Sequence, residues 1–411
     1  MSRSAGNPRR TLALLAVIAL VALGAAWLVL YSRPTAPVSL APASFASLEG
    51  WRQAGPGAAL AAFRRSCSVI LKLPPTRAMG GIGYAGQARD WQPVCAEAAS
   101  VQDTAARGWF EARFAVLQIV ARENPDGLFT GYYEPALYAS RTRHGAYVSP
   151  IYGQPTDLVT ADLGLFHPDL AGRHLTGRVV GSKFIPYPAR AQIDREGLAS
   201  APVLLYANDP VAVFFLHIQG SGRVFLDTGG ALRLAYAGQN GRAYTPVGRV
   251  LIARGALTRA QMSMQAIRGW LQTHPAGARA LMESDESYVF FRELPTGDPA
   301  LGSPGSEGVP LTPGASVAVD QAVHPLGIPM FVTATVPDAD PARADRRFAR
   351  LCVAQDTGGA IKGGVRADIF WGFGAAAESI AGRLKSPGKL YVLLPRALAA
   401  RLSPGRSGGS S

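Results

Sequence analysis

The sequence lacks the spacings that build most metal, nucleotide and serine hydrolase sites. Its six histidines show no recognised zinc spacing, which excludes the usual catalytic metal sites. It has no Gly-x-Ser-x-Gly elbow, the signature of many serine hydrolases. The glycines at 81, 83 and 86 have dinucleotide-binding spacing but no strand before them, and the turn around Lys362 lacks the phosphate-loop pattern. We therefore expect neither a cofactor nor a metal.

Acidic residues are also scarce. The 411 residues include 41 lysines and arginines against 28 aspartates and glutamates, a formal net charge of +13. Such an excess indicates an anionic partner, which could be a nucleic acid, a lipid surface or an acidic polymer. With 48% apolar residues, the chain is long enough to bury the cores of two or three domains.

One long uncharged apolar run is present, at residues 11–32. About 20 apolar residues suffice to cross a bilayer as a helix. Three arginines precede the run and only Arg33 follows it closely, so the positive-inside rule puts the body outside the cytoplasm. This predicts a single-pass protein of the bacterial inner membrane with its body in the periplasm. A cleavable signal peptide is the alternative, and no cysteine follows the run to carry a lipid anchor.

An extracytoplasmic body makes a nucleic acid a poor candidate for the anionic partner and favours a cell-wall polymer or a lipid surface. In an oxidising compartment, Cys67 and Cys95 either form a disulfide or remain two unpaired core cysteines. Cys352 lies in an apolar run and is expected to be a buried thiol.

The pattern of apolar residues divides the chain. Residues 1–33 form the predicted anchor and residues 34–48 a linker rich in proline, serine and alanine. Helical spacing follows at 58–73 and again at 104–122. Closely spaced strands and turns are predicted from about 128 to 229, including 201–229, before helical spacing returns at 246–283.

The C-terminal part again predicts strands. Six segments of strand length follow residue 286, separated by glycine, proline or charged residues. A long loop occupies 294–314, and residues 399–411 are predicted to be a disordered tail.

Three aspartates fall within or at the edge of these strands, namely Asp320, Asp356 and Asp368. Aspartate disfavours strands, so three such positions in one short β unit favour a shared polar site over three separate turn caps or structural carboxylates. Glycines follow Asp356 and let a ligand approach the backbone. Phe370 and Trp371 follow Asp368, where aromatic rings either pack in the core or stack on sugar rings. By excluding water they would also raise the carboxyl pKa, as a general acid at neutral pH requires.

These segments resemble two known sequence families. The stretches SVAVDQAVHPLGIPMFV, VAQDTGGAIKGGVRADIFWG and KLYVLLP resemble the 3D domain, named for its three aspartates. Upstream, TGYYEP, IQGSGRV, YAGQNGRAYTPVGRVLI and SYVFF resemble the MltA family of membrane-bound lytic murein transglycosylases. The blocks occur in the family's order and cover about residues 128–395.

The resemblance implies a mainly β fold with helices. A double-psi β-barrel domain would comprise residues 49–136 and 287–398, and a second β-rich domain, 137–286, would be inserted between them with a glycan groove in the gap. The predicted transmembrane helix would precede both. The family's catalytic aspartate corresponds to Asp368, and Asp356 and Asp320 would support it.

The implied reaction cleaves the β-1,4 bond between N-acetylmuramic acid and N-acetylglucosamine of peptidoglycan and forms a 1,6-anhydro-muramic acid end, in either exo or endo mode. The expected partners are glycan strands, the membrane, and proteins of wall synthesis or division. A hydrolytic muramidase using Glu134 as a second acid, or a noncatalytic wall-binding protein, are the alternatives. The residues predicted to bind substrate are Tyr132, Tyr133, Gln219, Ser221, Lys362 and Trp371, with interdomain packing the alternative for each tyrosine.

Overall fold

The computed structural model describes residues 38–121, 124–170 and 173–402. The strands are β1 Ser39–Ala43, β2 Phe114–Val120, β3 Asp126–Glu134, β4 Ala136–Ser140, β5 Ser149–Tyr152, β6 Val159–Asp162, β7 His174–Val180, β8 Lys183–Pro186, β9 Val203–Ala207, β10 Ser221–Leu226, β11 Ala231–Gln239, β12 Val289–Leu294, β13 Ser316–Val319, β14 Pro329–Val336, β15 Arg346–Asp356, β16 Arg366–Phe373 and β17 Lys385–Pro395. The α-helices are α1 Gly57–Ile70, α2 Ala88–Ala98, α3 Ala106–Arg113, α4 Arg190–Glu196, α5 Pro210–Gln219, α6 Val247–Ala253, α7 Met264–Thr273, α8 Pro275–Met282, α9 Ala375–Arg383 and α10 Arg396–Leu402.

Six strands close into a β-barrel. They pair in the order β3, β16, β13, β15, β14 and β17, and β17 pairs back with β3. Strands β2 and β1 extend the sheet outward from β17. All six strands predicted after residue 286 are confirmed, as β12 to β17. Five of them belong to this sheet, and they were predictable because each predicted segment is a short apolar run bounded by glycine, proline or charged residues.

A helical layer covers one side of the barrel. Phe63 of α1 is fully buried and meets Phe110, Phe114 and Trp91 with ring centroids 5.9–6.4 Å apart. A disulfide between Cys67 and Cys95 joins α1 to α2. Of the two predicted alternatives for these cysteines, the paired one is present, and Cys352 is a buried free thiol as expected.

Removing this disulfide should destabilise the barrel body. The two cysteines are 28 residues apart, and closing a loop of that length destabilises the unfolded chain by about 3.6 kcal/mol in the chain-entropy model. We expect the double variant Cys67→Ala/Cys95→Ala to lower the free energy of unfolding by about that amount in urea denaturation. Treating the variant with reductant should change nothing further, whereas reductant should weaken the wild type.

The predicted helix at 104–122 is wrong in its second half. Helix α3 ends at Arg113, and Phe114–Val120 form strand β2. This segment, FAVLQIV, carries β-branched residues and pairs with both β1 and β17. Tertiary pairing therefore overrides an apolar spacing that suits either structure.

The second body lies between residues 136 and 294. Its main sheet has the order β12, β11, β10, β4, β9, β5, and a smaller sheet contains β6, β7 and β8. The all-strand prediction across 201–229 is wrong at Pro210–Gln219, which form helix α5. Asp209 caps this helix by accepting a hydrogen bond from the Val211 amide, Pro210 occupies its first turn, and Gly220 ends it with φ 78°. These are standard helix start and stop signals that the apolar run obscured.

The N-terminal predictions need two corrections. The segment predicted as an irregular linker contains strand β1, whose five residues pair with β2. The predicted span at 11–32 lies outside the described residues. The predicted disordered tail, 399–411, is wrong at 399–402, which end helix α10, and its remainder from residue 403 lies outside the described residues. Across 38–402, apart from the two short gaps, no helix has the length and apolarity needed to cross a bilayer. The single-pass inner-membrane localisation is therefore withdrawn.

Candidate active site

The strand register brings two of the three aspartates to one face of the barrel. Ala318 of β13 pairs with Asp356 of β15 on one side and with Asp368 of β16 on the other. The β13–β15 register shifts just before the Ala318–Asp356 pair. Side-chain contacts place both carboxyl groups on one side, because Asp368 binds Thr130 and Asp356 binds Tyr132, two residues apart on β3. With strands about 4.8 Å apart, their backbones are separated by about 10 Å.

Asp368 is partly buried beside β3. Its Oδ1 accepts a hydrogen bond of 2.6 Å from the Thr130 hydroxyl, and the Arg366 guanidinium donates to the same hydroxyl at 2.8 Å. Burial raises the pKa of Asp368 to about 6. The Arg366 charge and the Thr130 hydrogen bond oppose this rise, and the negative charge of Asp356 adds to it. A carboxyl group with such a pKa carries a proton in an appreciable fraction of molecules near neutral pH.

Asp356 is surrounded by hydrogen-bond donors. Its Oδ1 accepts from the Ser306 amide at 2.9 Å, the Ser306 hydroxyl at 2.8 Å and the Thr357 amide at 2.9 Å. Its Oδ2 accepts from the Tyr132 hydroxyl at 2.9 Å. Burial raises the pKa of Asp356, while all four donors lower it. Four donors and no acceptor favour the ionised form, because a carboxylate can only accept.

Asp320 serves the glycine-rich turn instead of facing Asp368 directly. It lies one residue beyond β13 and is 6% exposed. Its Oδ2 accepts from the Gly363 amide at 2.8 Å, and its Oδ1 lies 3.8 Å from the Lys362 ammonium group. The Lys362 side chain is 70% exposed. Asp320 thus fixes the turn that carries Lys362 between β15 and β16.

The two neighbouring tyrosines point to opposite sides of β3. Tyr132 packs on Phe370, with ring centroids 5.2 Å apart, on the side of the two aspartates. Tyr133 packs on the other side with Ala377 and Ala381 of α9.

The remaining predicted binding residues are spread around this region. Trp371 lies on the Tyr133 side, over Gly131 and against Phe348, away from the carboxyl groups. Gln219 accepts a hydrogen bond from the Tyr133 amide at 3.1 Å. Ser221 begins β10 and is partly exposed.

Glu134 occupies a closed ion-pair site. It is fully buried, and its Oε1 accepts from the Ser303 amide at 2.7 Å and the Ser303 hydroxyl at 2.6 Å. Its Oε2 lies 3.0 Å from Arg223 Nε and 3.9 Å from Arg233 Nε. Both oxygens are therefore engaged, with no free face for a substrate proton or a water molecule.

Three residues near the site were missed from the sequence. Thr130 and Ser306 bind the two carboxylates, but hydroxyl residues in strands and loops carry no signal of their own. Tyr244, in the second body, has a pKa raised to about 12 by burial, with Asp285 and Asp368 adding to the rise. Because the Asp368 charge contributes to the raised pKa of Tyr244, this residue of the second body lies near the carboxyl group of the barrel. Tyr244 lies in one of the quoted sequence blocks, which was the available signal.

Among the residues that the structure describes, no cluster of three or more histidine, cysteine, aspartate or glutamate side chains could hold a metal ion.

Comparison with known proteins identifies the family. The model of the MltA specific insert domain matches residues 128–292, and the model of the 3D domain matches residues 315–394. Among solved structures, the membrane-bound lytic murein transglycosylase of Agrobacterium tumefaciens aligns with a TM-score of 0.77 and 32% identity, over 88% of this chain and 99% of that one. The chain belongs to the MltA family.

Curated relatives agree. Membrane-bound lytic murein transglycosylase A of Escherichia coli K12 is 36% identical over 269 residues, and that of Vibrio cholerae is 32% identical over 271. The match spans 65% of the length of each of these relatives and about the same share of this chain. A structure of Escherichia coli MltA with bound chitohexaose aligns with a TM-score of 0.61 and 28% identity, over 89% of this chain and 93% of that one.

Proposed function

We propose that this protein is a lytic transglycosylase that cleaves the β-1,4 bond between N-acetylmuramic acid and N-acetylglucosamine in peptidoglycan. The observation that carries the proposal is the partly buried Asp368 carboxyl, with a pKa raised to about 6, on the same barrel face as a hydrogen-bonded Asp356. The names of the relatives support this reaction, and the chitohexaose complex of one relative supports binding of a β-1,4-linked glycan.

Asp368 acts first as an acid and then as a base. Its protonated carboxyl donates to the glycosidic oxygen, and the bond from that oxygen to C1 of the muramyl unit breaks. The C6 hydroxyl of the same sugar then attacks C1, and its proton passes to the Asp368 carboxylate. One residue suffices for both transfers because the nucleophile belongs to the substrate. No water is consumed, and Asp368 ends the cycle protonated.

Asp356 stabilises the positive charge that develops at C1. Four donors favour its ionised form, and it faces the same side of the sheet as Asp368. A fixed charge aimed at the reacting centre lowers the barrier without reorganising during the reaction. The negative charge of Asp356 also discourages Asp368 from ionising too early.

The glycan lies between the barrel and the second body. In the proposed organisation, residues 49–136 and 287–398 form a double-psi barrel domain, and residues 137–286 form the inserted domain. Lys362 supplies an exposed cation for lactyl or peptide carboxylates, and the partly exposed Ser221, at the start of β10, supplies a hydroxyl from the second body. Tyr132 acts on the reaction indirectly, by donating its hydroxyl to the Asp356 carboxylate. Tyr133, Gln219 and Trp371 act as support beneath the groove. Tyr133 and Trp371 pack against α9, on the side of β3 away from the carboxyl groups, and Gln219 accepts a hydrogen bond from the Tyr133 amide.

A hydrolytic muramidase is the less favoured function. Hydrolysis with two carboxylates needs a second acid or base with access to water or to the anomeric carbon. Glu134 was the sequence candidate, and both its oxygens are bound by Ser303 and Arg223.

Product analysis tests the proposed reaction. Purified peptidoglycan is digested with the protein, and the released muropeptides are analysed by mass spectrometry. Ends of 1,6-anhydro-muramic acid support the transglycosylase. Reducing ends would make the protein a muramidase, and release of no fragment would favour a noncatalytic binding protein.

The rate should fall above about pH 6. Asp368 must be protonated to donate, and its pKa of about 6 means that the protonated fraction decreases as the pH rises through that value. We expect kcat to drop about tenfold for each pH unit well above this range, measured by release of anhydro-muropeptides under saturating substrate. A rate that keeps rising to pH 9 would contradict Asp368 as the acid.

A further inference from the structure

A long irregular segment joins the second body back to the barrel. This interdomain strap, residues 295–314, has neither helix nor strand and runs from β12 to β13. Two arginines of the second body hold its first half. Arg223 donates to the carbonyl oxygen of Pro299 at 2.9 Å, and Arg233 donates to that of Asp298 at the same distance.

The strap is then fixed at the point where the chain first leaves the barrel. Glu134 ends β3 and accepts two hydrogen bonds from Ser303 of the strap. The two chain segments that connect the bodies are thus bound to each other within the Glu134 ion-pair site. The position of the strap is set by both bodies together.

The second half of the strap packs closely against β15 beside Asp356. A Cβ atom at Gly305 would lie 2.6 Å from the Gln355 carbonyl oxygen and 3.1 Å from the Asp356 Cβ, so the approach requires glycine. The Glu307 amide donates to the same carbonyl at 3.1 Å, and the Ser66 hydroxyl donates to the Glu307 carboxylate at 2.6 Å. Ser306 lies between these two anchors, and its amide and hydroxyl both reach Asp356 Oδ1.

We propose that Ser306 is a positioning residue, which holds the Asp356 carboxylate ionised and oriented beside Asp368 by donating its amide and hydroxyl to one carboxylate oxygen. The inference deepens the proposed function and rests on it for the catalytic consequence. The ionisation of Asp356 then depends on the position of the strap, and therefore on the position of the second body relative to the barrel.

Removing the hydroxyl should act through Asp356. A donor to a carboxylate lowers the carboxyl pKa, so its loss raises the pKa of Asp356. Asp356 must be ionised while Asp368 is protonated, so the rate should show an acid limb governed by Asp356 and an alkaline limb governed by Asp368. In Ser306→Ala the acid limb moves to higher pH by about one unit, the size expected for one hydrogen bond to a charged group.

The experiment compares three variants with the wild type. Ser306→Ala removes the hydroxyl, and Ser306→Thr retains one. Ser379→Ala is the matched control. Ser379 lies on α9, and its hydroxyl donates to the Ala339 carbonyl at 2.7 Å and not to an aspartate of the site. Each protein is assayed for kcat and KM from pH 4 to 8. The aspartate carboxyl resonances are titrated in parallel by carbon-13 NMR, with Asp356→Asn used to assign the Asp356 signal.

We expect Ser306→Ala to lower kcat by at most about tenfold, on the acid limb of the pH profile, with KM within twofold, and to raise the Asp356 pKa in the titration. Ser306→Thr should recover most of the rate, and Ser379→Ala should match the wild type. An unchanged Asp356 titration in Ser306→Ala, or an equal shift in Ser379→Ala, would overturn the inference. The NMR result does not depend on activity, so absence of anhydro products would count against the proposed function alone.

Discussion

Replacing Asp368 with asparagine should reduce the release of anhydro-muropeptides by at least about a thousandfold. General acid and base catalysis each contribute about 10² to 10⁴ in rate, and this single residue supplies both transfers. The amide keeps the size of the carboxyl and can still accept from the Thr130 hydroxyl at the Oδ1 position. The change therefore removes the titratable proton with little effect on packing. Mass spectrometry of digests at pH 5.5 measures the loss.

Thermal unfolding serves as the control for Asp368→Asn. Burial raises the pKa of Asp368 in the folded protein above its unfolded value, so its ionisation costs stability as the pH rises from about 4 through 6. Asparagine cannot ionise, and the variant should be at least as stable as the wild type at pH 7. An active variant, or an inactive one that has unfolded, would remove the support for Asp368 as the catalytic residue.

Replacing Glu134 with alanine should cause the largest loss of stability. Glu134 is fully buried between Arg223 and Arg233, whose side chains are 12% and 6% exposed. Removing one partner of a buried ion pair costs about 3–5 kcal/mol, because the remaining charges stay buried and unpaired. For a chain of this size we expect the apparent Tm to fall by about 10 °C, measured by differential scanning calorimetry.

Glu293→Ala is the matched control. Glu293 forms an ion pair with Arg141 on the same body, but their side chains are 30% and 49% exposed. An exposed pair contributes about 0–1 kcal/mol, so the Tm should change by no more than a few degrees. Equal effects of the two substitutions would show that the Glu134 site does not hold the bodies together. Retained activity in a less stable Glu134→Ala protein would separate its structural role from catalysis.

The C-terminal barrel strands and the three aspartates could be read from the sequence because each is a local signal. Strands such as Pro329–Val336 combine high apolar content with β-branched residues between turn signals. The errors arose where a segment fitted two structures. FAVLQIV at 114–120 suits a helix by spacing, and its strand state depends on partners far away in the chain.

The sequence predicted the acidic residues of the site, but neither their pairing across the sheet nor the residues that donate to them. The pairing of Asp356 and Asp368 through Ala318 depends on a parallel and an antiparallel neighbour of one short strand, which no local pattern specifies. The donors Thr130 and Ser306 lie 238 and 50 residues from the carboxylates they bind. Trp371 was a candidate sugar platform from its position after Asp368. Side chains alternate along β16, so a residue three positions after Asp368 lies on the opposite face, where Trp371 is found.

The barrel described above is completed by chain segments that are far apart in sequence. Strand β2, at Phe114–Val120, finds its partner β17 only at Lys385–Pro395, and β3 needs β16 and β17. During synthesis from the N-terminus, the edges of these early strands therefore remain unpaired until nearly the whole chain has been translated. Such long-range closure slows folding and exposes strand edges to other chains. The inserted body, whose strands lie within 136–294, is able to fold first and hold the two ends of the barrel near each other.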